Sequence, residues 1–392
     1  MARSTRRPRV SARIHRSTPR ASNRSSNRKI RYAVVGLGYI SQAAVLPAFA
    51  HAENSELVAL VSSDPRKLKK LGSDYCVEHV YTYDQFGDCL NSGGIDAVYI
   101  ALPNHLHSAY AKAAALAGVH VLCEKPMAFN QQECESMIYA AADTGVKLMI
   151  AYRLHFEQGN LEAIKTIESG KIGEPRIFSS VFSQQVKPGN SRLEREVGGG
   201  PLYDMGVYCI NAARYLFRAE PGEVLAWNAA NPGDQRFFEV PEMTTAILRF
   251  PGERLAQFTC SFGAADCSTY EVVGTKGTLR MSPAYDMVKD LKCEVTIEGR
   301  TTSRVFKKRD QFAPELIYFS DCILRDKEPE PSGIEGLADV RIVQALLASA
   351  VAGASVELPA VEVTERPEPS QQISRPAVAA PHLVRAASPG SQ

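Results

Sequence analysis

The sequence predicts an α/β protein: a doubly wound parallel sheet forms the N-terminal domain, and an α+β domain with a large, mostly antiparallel open sheet follows. Between residues 30 and 151, apolar strands alternate with helices and are joined by short loops, which is typical of a parallel sheet covered on both faces. After Arg153, strands follow one another without intervening helices, which indicates antiparallel pairing. A length of 392 residues suits two domains.

The first domain contains five apolar runs that predict strands: RYAVVG, ELVALVSSD, GIDAVYIALP, VHVLCEKP and VKLMIAYR. Four segments have helical spacing: AAVLPAFAHA, PRKLKKLGSDY, HSAYAKAAALAG and NQQECESMIYAAADTG. The last two end at Gly118 and Gly145, residues that commonly terminate helices.

The second domain begins with a helix at GNLEAIKTIESG, a strand at EPRIFSSVFS and a helix at LYDMGVYCINAARYLF. Six strands are then predicted at EVLAWNA, TTAILRF, LAQFTCSF, STYEVVG, GTLRMS and KCEVTIEG. The segment LADVRIVQALLASAVAG predicts a closing helix.

Two terminal segments are predicted to lie outside these domains, which cover residues 30–151 and 152–356. Residues 1–29 contain many arginines and no acidic residue, so a disordered basic arm is expected. A docking arm, a transit-type sequence and a nucleic-acid-binding arm are the alternatives. Residues 357–392 are rich in Pro, Ser and Ala and predict a disordered tail.

Composition argues against export, metal and membrane functions. The basic start is not followed by the apolar run of about 7–15 residues that a secretory signal needs. No apolar segment reaches the roughly 18 residues required to span a membrane. The nine cysteines include no C-x-x-C pair, which favours reduced thiols and predicts no zinc site. We therefore expect a cytoplasmic protein.

A glycine turn follows the first strand. Gly36 and Gly38 occupy the first two positions of the G-x-G-x-x-G fingerprint, Tyr39 and Ile40 follow, and Ser41 replaces the third glycine. The first glycine permits a tight turn, and the second lets the backbone approach a pyrophosphate at a helix N-terminus. Its place within a βαβ unit predicts a Rossmann dinucleotide-binding domain.

The end of the second strand favours NADP over NAD. NAD-selective sites usually have an acidic residue there, which binds the ribose 2′-hydroxyl. Here the strand ends in Ser62 and Ser63, and Arg66 and Lys67 follow. Hydroxyls and two cations suit a 2′-phosphate, which a carboxylate would repel. Asp64 leaves open the alternative that the two cations only line a solvated helix face.

Polar residues follow three strands of the first domain at their carboxyl ends. Asn104, the pair Glu124 and Lys125, and Arg153 occupy these positions. Ligands of doubly wound sheets bind outside this edge. We therefore expect Lys125 to be a functional ammonium in the crevice.

The motifs GLGYI, LPNHLH, CEKPMA, AYRLHFEQGN and GGGPLYDMGVYCINAARYLF together resemble the Gfo/Idh/MocA oxidoreductase family, and most of all its glucose–fructose oxidoreductase branch. The likeness covers residues 30 to about 356. It implies a nicotinamide cofactor, a sugar-like alcohol substrate, and a second domain whose open sheet makes dimer or tetramer contacts. The Lys125–Pro126 bond is often cis in the family, and X-Pro is where cis bonds occur.

The resemblance also implies the catalytic residues. Many members have D-x-G-x-H, whereas Asp204 and Gly206 are followed here by Tyr208, as in the glucose–fructose oxidoreductase branch. A tyrosine titrates near pH 10 when unperturbed, so it needs a nearby cation to act near neutrality. We predict Tyr208 as the acid/base, Lys125 as its electrostatic partner, and Asp204, on the same helix face, as the substrate orienter.

Other positions match family residues near the cofactor. The branch has Ser and Lys at the positions of Ser62 and Lys67. Arg192 matches the Arg of a Trp-Arg pair, although Ser191 replaces the Trp and the spacing to the glycine run is one residue short. His155 matches a segment at the cofactor and sugar. The predicted cofactor-binding residues are Gly36, Gly38, Tyr39, Ile40, Ser62, Arg66, Lys67, Tyr83, Leu102, Asn104, His107, Glu124, Lys125, Arg153 and Arg192.

The predicted function is an NADP-dependent oxidoreductase that acts on a pyranose or related polyol. Its cofactor either exchanges in each turnover or stays bound, in which case one sugar reduces the cofactor and another sugar reoxidises it. Relatives with trapped cofactor cover it with an N-terminal arm. The arm of this chain is very basic and differs from theirs in composition, which favours exchange here. The alternative function is a non-catalytic NADP-binding sensor with the same fold.

Overall fold

The computed structural model describes residues 28–361, 363 and 365–390. The predicted basic arm lies outside this part of the chain except for its last two residues. The predicted fold class, a parallel doubly wound domain followed by an α+β domain with a large and mostly antiparallel sheet, is confirmed.

The first sheet consists of six parallel strands within the described residues: β1 (Ile30–Val35), β2 (Ser55–Val61), β3 (His79–Tyr81), β4 (Ala97–Ile100), β5 (His120–Glu124) and β6 (Leu148–Ala151). Their order is β3-β2-β1-β4-β5-β6. The order of successive strands reverses between β1 and β4, although all six strands run in the same direction. Ligands of such sheets bind in the crevice at this point. Strand β3 was not predicted, because its three residues are largely exposed and lack an apolar pattern.

Helices pack on both faces of this sheet. They are a π-helical turn (Ser41–Val45), α1 (Leu46–Ala48), α2 (Pro65–Asp74), α3 (Phe86–Asn91), α4 (His107–Leu116) and α5 (Gln131–Thr144). The Asn130 side chain caps the start of α5, and Gly145 ends it in the left-handed conformation. Because these signals are local, the predicted bounds of α5 agree with the structure.

The second sheet has nine strands among the described residues: β7 (Pro175–Ser183), β8 (Glu223–Ala229), β9 (Met243–Phe250), β10 (Arg254–Ser261), β11 (Cys267–Gly274), β12 (Gly277–Met281), β13 (Leu291–Ile297), β14 (Arg300–Phe306) and β15 (Val356–Glu357). Their order is β14-β13-β12-β11-β7-β10-β9-β8-β15, and β7 runs parallel to β10. The later helices are α6 (Gln158–Glu168), a π-helical turn (Leu202–Gly206), α7 (Val207–Phe217), α8 (Ala313–Arg325) and α9 (Gly333–Ala352).

Helix α8 packs on the first sheet although it comes late in the chain. Leu316 and Phe319 are buried in the same apolar cluster as Tyr32 of β1. The Tyr32 hydroxyl also shares a 2.9 Å hydrogen bond with Ser320. The sequence analysis did not predict this helix and placed its residues in the second domain. Tyr32 precedes Ser320 by 288 positions, so no local pattern assigns this helix to the first sheet.

A buried ion cluster joins α7 to α9. Arg214 is fully buried and donates to Glu335 at 2.8 Å, to Asp339 at 2.6 Å and to Glu220 at 2.7 Å. Burial alone would lower the pKa of Arg214, but the three carboxylates raise it well above its ordinary value. This cluster fixes the helix layer behind the second sheet.

The C-terminal tail differs from the expectation of disorder. Its described residues lie against both domains: Gln371 donates to the Glu330 carbonyl at 2.9 Å, and the Val384 amide donates to Gln42 at 2.7 Å. A tail of this composition has little regular structure, but it can be held by contacts that composition does not reveal. No helix in the described ranges is long and apolar enough to cross a membrane.

Candidate active site

A cleft of about 380 Å³ opens at the carboxyl ends of the first sheet and is closed on its other side by the second domain. Eleven of the predicted site residues line it: Tyr39, Ile40, Leu102, Asn104, His107, Glu124, Lys125, Arg153, Arg192, Asp204 and Tyr208. The other six lie outside its lining, towards the glycine turn and the end of β2: Gly36, Gly38, Ser62, Arg66, Lys67 and Tyr83.

The tip of β5 presents Glu124 and Lys125 to the cleft. Glu124 accepts a 2.9 Å hydrogen bond from the Tyr99 hydroxyl on the neighbouring strand β4. Burial raises the pKa of Glu124, which Lys125 and this hydrogen bond partly oppose. The Lys125–Pro126 bond is cis, as the resemblance implies. The strand therefore ends in charged residues because its tip is a wall of the cleft.

Lys125, Asp204 and Arg192 form a row of alternating charges. The Lys125 ammonium donates to the Asp204 carbonyl at 2.9 Å and to its carboxylate at 3.3 Å, and Arg192 donates to the other carboxylate oxygen at 2.7 Å. Burial would raise the pKa of Asp204, but the two cations lower it strongly. Burial would likewise lower the pKa of Lys125, which its anionic surroundings raise instead. Both groups are therefore charged at neutral pH.

Tyr208 lies beside this row. The Lys125 ammonium is 4.7 Å from the centre of its ring, and the Arg153 guanidinium carbon is 5.1 Å away. Phe182 packs edge-on against the same ring at 5.5 Å. Tyr208 lies in the first turn of α7, whereas Asp204 belongs to the π-helical turn before it. The four-residue spacing thus brings both to one cleft, although the helix between them is not regular.

Arg153 and His155 have different positions, and this corrects the sequence analysis. Arg153 lines the cleft and donates to the Tyr285 carbonyl at 2.5 Å. His155 does not line it: its ring is buried between Glu330, at 2.9 Å, and Asn211, at 2.8 Å. Burial would lower the pKa of His155, and Glu330 raises it. Alternate residues of this short helical turn point to different sides, so one reaches the cleft and the other the core.

His107 and Asn104 join separate walls of the cleft. The buried His107 ring lies 2.9 Å from the Pro126 carbonyl and 2.8 Å from the Leu102 carbonyl. Burial lowers its pKa. Asn104 donates to the Gly198 carbonyl at 2.8 Å, which ties the strand β4 edge to the glycine run. Both residues therefore position the backbone that lines the cleft.

The glycine turn has the space and exposed backbone that a dinucleotide needs. A Cβ on Gly36 would lie 2.4 Å from the Ala101 carbonyl, so this approach requires glycine, and φ there is 95°. A Cβ on Gly38 would meet nothing within 4 Å, which leaves the backbone open to a ligand. Ser41 donates to the Gly36 carbonyl at 2.5 Å. The serine that replaces the third glycine thus holds the turn closed.

The end of β2 places its two cations around a capped helix. Asp64 accepts hydrogen bonds from the amides of Arg66 at 2.9 Å and of Lys67 at 3.3 Å. Its carboxylate therefore caps α2, which accounts for an acidic residue beside two cations. Ser62 is buried at the strand end and bonds the Tyr83 side chain. These residues fit the phosphate-bearing end of NADP.

The sequence analysis missed the wall that the second domain supplies. Phe182, Gln184, Ser268, Tyr285 and Met287 line the cleft. They occupy strands and a loop that contain no motif, so only their placement opposite β5 identifies them as site residues. Tail residues 388–390 also line the cleft, and the expectation of a disordered tail left them out. No group of three or more His, Cys, Asp and Glu side chains in the described part of the chain is arranged to hold a metal ion.

Comparison with known proteins agrees with this architecture. Residues 30–152 match the family model of the oxidoreductase family with an NAD-binding Rossmann fold, and residues 160–280 match the GFO/IDH/MocA C-terminal domain. The chain is 33% identical over 342 residues to a D-xylose 1-dehydrogenase (NADP(+)) of Haloarcula marismortui, a match that covers 85% of this chain and 94% of the relative. The chain belongs to the Gfo/Idh/MocA oxidoreductase family.

Two solved structures of similar proteins extend this likeness. An aldose–aldose oxidoreductase from Caulobacter crescentus, complexed with glycerol, is 38% identical with a TM-score of 0.81, over 84% of this chain and all of that one. A 3-ketoreductase from Actinomadura kijaniata, in complex with NADP and TDP-benzene, is 27% identical with a TM-score of 0.76, over 82% and 98%. This Gfo/Idh/MocA member therefore shares both of its domains with sugar-acting oxidoreductases.

Proposed function

We propose that this chain is an NADP-dependent oxidoreductase that transfers hydride between the nicotinamide and a pyranose sugar or related polyol. The observation that carries the proposal is the arrangement of Lys125, Tyr208 and Asp204 in one cleft, with the ammonium 4.7 Å from the phenol ring and 2.9 Å from the Asp204 carbonyl. The relatives named for NADP-dependent xylose oxidation and for aldose–aldose oxidoreduction support it.

The chemistry requires a proton acceptor beside the carbon that reacts. NADP supplies the hydride acceptor when it is bound, and the sugar hydroxyl must lose its proton as the carbonyl forms. Tyr208 takes this proton in oxidation and returns it in reduction. Lys125 stabilises negative charge on the phenol oxygen, because it is an ammonium held close to the ring. Asp204 holds Lys125 and Arg192 in place and orients the sugar.

Two groups of residues are proposed to hold the cofactor. Ser62, Arg66 and Lys67 bind the adenosine 2′-phosphate, because hydroxyls and cations surround the end of β2 where a carboxylate is otherwise used. Gly36 and Gly38 let the pyrophosphate approach the backbone. Tyr83 lies beside Ser62, and the remaining predicted cofactor residues line the cleft between these groups and Tyr208.

The first experiment uses extensively desalted protein. Nicotinamide absorbance is recorded before and after adding glucose or xylose, with and without added NADP, and then after adding a second sugar as acceptor. Appearance of NADPH, or of a bound nicotinamide signal that rises with one sugar and falls with the next, is the expected result. The Tyr208→Phe variant is expected to lose about 10²- to 10⁴-fold in kcat, the usual contribution of an acid/base group.

Tyr139→Phe is the matched control, since its side chain is 72% exposed and lies on α5 away from the cleft. It should retain the wild-type rate. If no sugar or polyol in a broad panel is turned over although the protein binds NADP, the catalytic proposal fails, and a nucleotide-binding sensor becomes the better description.

The open face of the second sheet is proposed to form a homo-oligomer. Ile177, Val181 and Leu255 are 39–48% exposed on paired strands, and Trp227, 52% exposed, continues the same face. Apolar residues grouped in this way mark association surfaces. Light scattering should give a dimer or tetramer, and Trp227→Asp with Val181→Asp should shift it to monomer. A monomeric wild-type protein would contradict this part of the proposal.

A cytoplasmic location is also proposed, because nine free thiols suit a reducing compartment.

A further inference from the structure

The end of the chain follows the path that connects the two ends of the cofactor site. We call residues 384–390 the C-terminal strap. It starts beside the glycine turn, passes the end of β2, and ends at the rim of the cleft in the second domain. Both family models end at or before residue 280, so they do not include it.

Gln42 fastens the start of the strap. Its side chain is 1% exposed and pairs with both backbone groups of Val384: it accepts from the amide at 2.7 Å and donates to the carbonyl at 3.0 Å. The side-chain amide of Gln42 also donates to the Leu37 carbonyl, inside the glycine turn, at 2.9 Å. The strap is therefore bonded to the segment on which a pyrophosphate would rest.

Arg385 places a third cation at the end of β2. Its guanidinium lies 3.3 Å from the Asp64 carboxylate, the residue that caps the helix of Arg66 and Lys67. Its side chain is 58% exposed, so the guanidinium has room for a second anion. Its backbone is left-handed, with φ of 47°, a conformation that non-glycine residues rarely adopt and that surrounding contacts must hold.

The far end of the strap lies over the catalytic part of the cleft. The Lys187 amide donates to the Pro389 carbonyl at 3.2 Å, and Gly390 forms a β-bridge with Val186. Residues 388–390 line the same cavity as Lys125 and Tyr208. The strap thus spans both domains across the mouth of the site.

We propose that the C-terminal strap is part of the cofactor-binding site: it closes over NADP bound at the strand ends, and Arg385 binds the 2′-phosphate together with Arg66 and Lys67. This inference rests on the proposed function, because it states how the same site holds its cofactor.

The strap makes slow cofactor release the expected behaviour. Before the dinucleotide leaves, the pair with Gln42, the contacts of Arg385 and the bond to Lys187 must all break. A cofactor held in this way serves successive sugars without exchanging, the second of the two forms considered from the sequence. The N-terminal arm favoured exchange, whereas the strap at the other end of the chain favours retention.

The test measures nucleotide binding without any sugar. Four forms of the full protein are compared: wild type, a variant that ends at Leu383, Arg385→Gln and Arg300→Gln. Arg300 is exposed on β14 far from the strap and is the matched control. Stopped-flow fluorescence gives the NADPH dissociation rate, calorimetry gives Kd for NADP and for NAD, and thermal melts check folding.

Removal of the strap should raise the NADPH dissociation rate by at least about tenfold, because the contacts that must open are gone. Arg385→Gln should weaken NADP binding by about tenfold, the cost of one bond to a charged group, and leave NAD binding unchanged. Arg300→Gln should change neither.

An unchanged dissociation rate in the shortened variant would overturn the inference. So would an Arg385→Gln variant that weakens NAD as much as NADP, or neither. These outcomes are separate from the fate of the proposed function, because a strap-dependent NADP affinity in a protein that oxidises no sugar would uphold the strap and refute the catalytic proposal. Sugar oxidation with strap-independent release would do the reverse.

Discussion

Replacement of Lys125 by Met tests the catalytic pair most directly. Methionine keeps most of the length of the side chain and removes its charge. Asp204 keeps its 2.7 Å ion pair with Arg192, so the fold around the site should survive. The variant therefore isolates the effect of the ammonium on Tyr208.

The distance between the two side chains sets the expected size of this effect. A unit charge 4.7 Å from the ring centre, in a medium with an effective dielectric constant of about 20, stabilises a developing phenolate by about 3.5 kcal/mol. Since about 1.4 kcal/mol corresponds to a factor of ten, kcat should fall about 10²- to 10³-fold.

The assay is steady-state NADPH formation from the best sugar of the panel at saturating NADP. Lys69→Met, at an exposed position of α2, is the matched control and should behave as wild type. The Lys125→Met, Tyr208→Phe double variant should lose little more than either single one, because the residues act as a unit. A kcat for Lys125→Met within about fivefold of wild type would refute the electrostatic role.

Three further predictions concern the cofactor and stability. Ser62→Asp should raise the KM for NADP at least about tenfold relative to that for NAD, because a carboxylate would face the 2′-phosphate; equal changes for both nucleotides would contradict the assignment. The pKa of Asp204 is lowered in the folded state, so its contribution to stability is present above the unfolded value of about 3.9 and is lost as pH falls below it. Urea unfolding should therefore show a difference in the free energy of unfolding between wild type and Asp204→Asn that becomes smaller between neutral pH and about pH 3. A difference that becomes larger as pH falls would contradict a lowered pKa of Asp204. Arg214→Met should lower the free energy of unfolding by about 3–5 kcal/mol, since it removes the cation shared by the buried carboxylates of Glu335 and Asp339, whereas the partly exposed Glu220 keeps Arg366. A loss below about 1 kcal/mol would show that the cluster is not held by this charge.

Features whose causes are local were predictable. The α5 helix is capped by Asn130 at its start and by Gly145 at its end, and both signals are contained in the local sequence. The glycine turn was predictable for the same reason, because Gly36 and Gly38 are required by backbone geometry within a few residues. The placement of Lys125 followed from a general property of parallel sheets, whose carboxyl ends meet at one edge.

Features that depend on distant contacts were not. His155 was expected at the site from its place in a motif, but its direction is decided by Glu330 and Asn211, far along the chain. Helix α8 was missed because the surface it covers belongs to the first sheet. The role of the Asp64 carboxylate as a helix cap was also decided by the tertiary structure, since a cap and a ribose ligand look alike in sequence.

The sequence by itself determined the family, the strands and helices of the first domain other than β3 and α3, and the residue types of the site. Periodicity, turn chemistry and motif spacing act over short distances, which is why these features were predictable. Tertiary structure decided which of those residues meet. Lys125 and Asp204 are 79 positions apart and pair only because the second domain folds back over the strand ends. The tail, which composition assigns to disorder, crosses the same cleft because contacts such as Val384 with Gln42, 342 positions apart, outweigh its lack of regular structure.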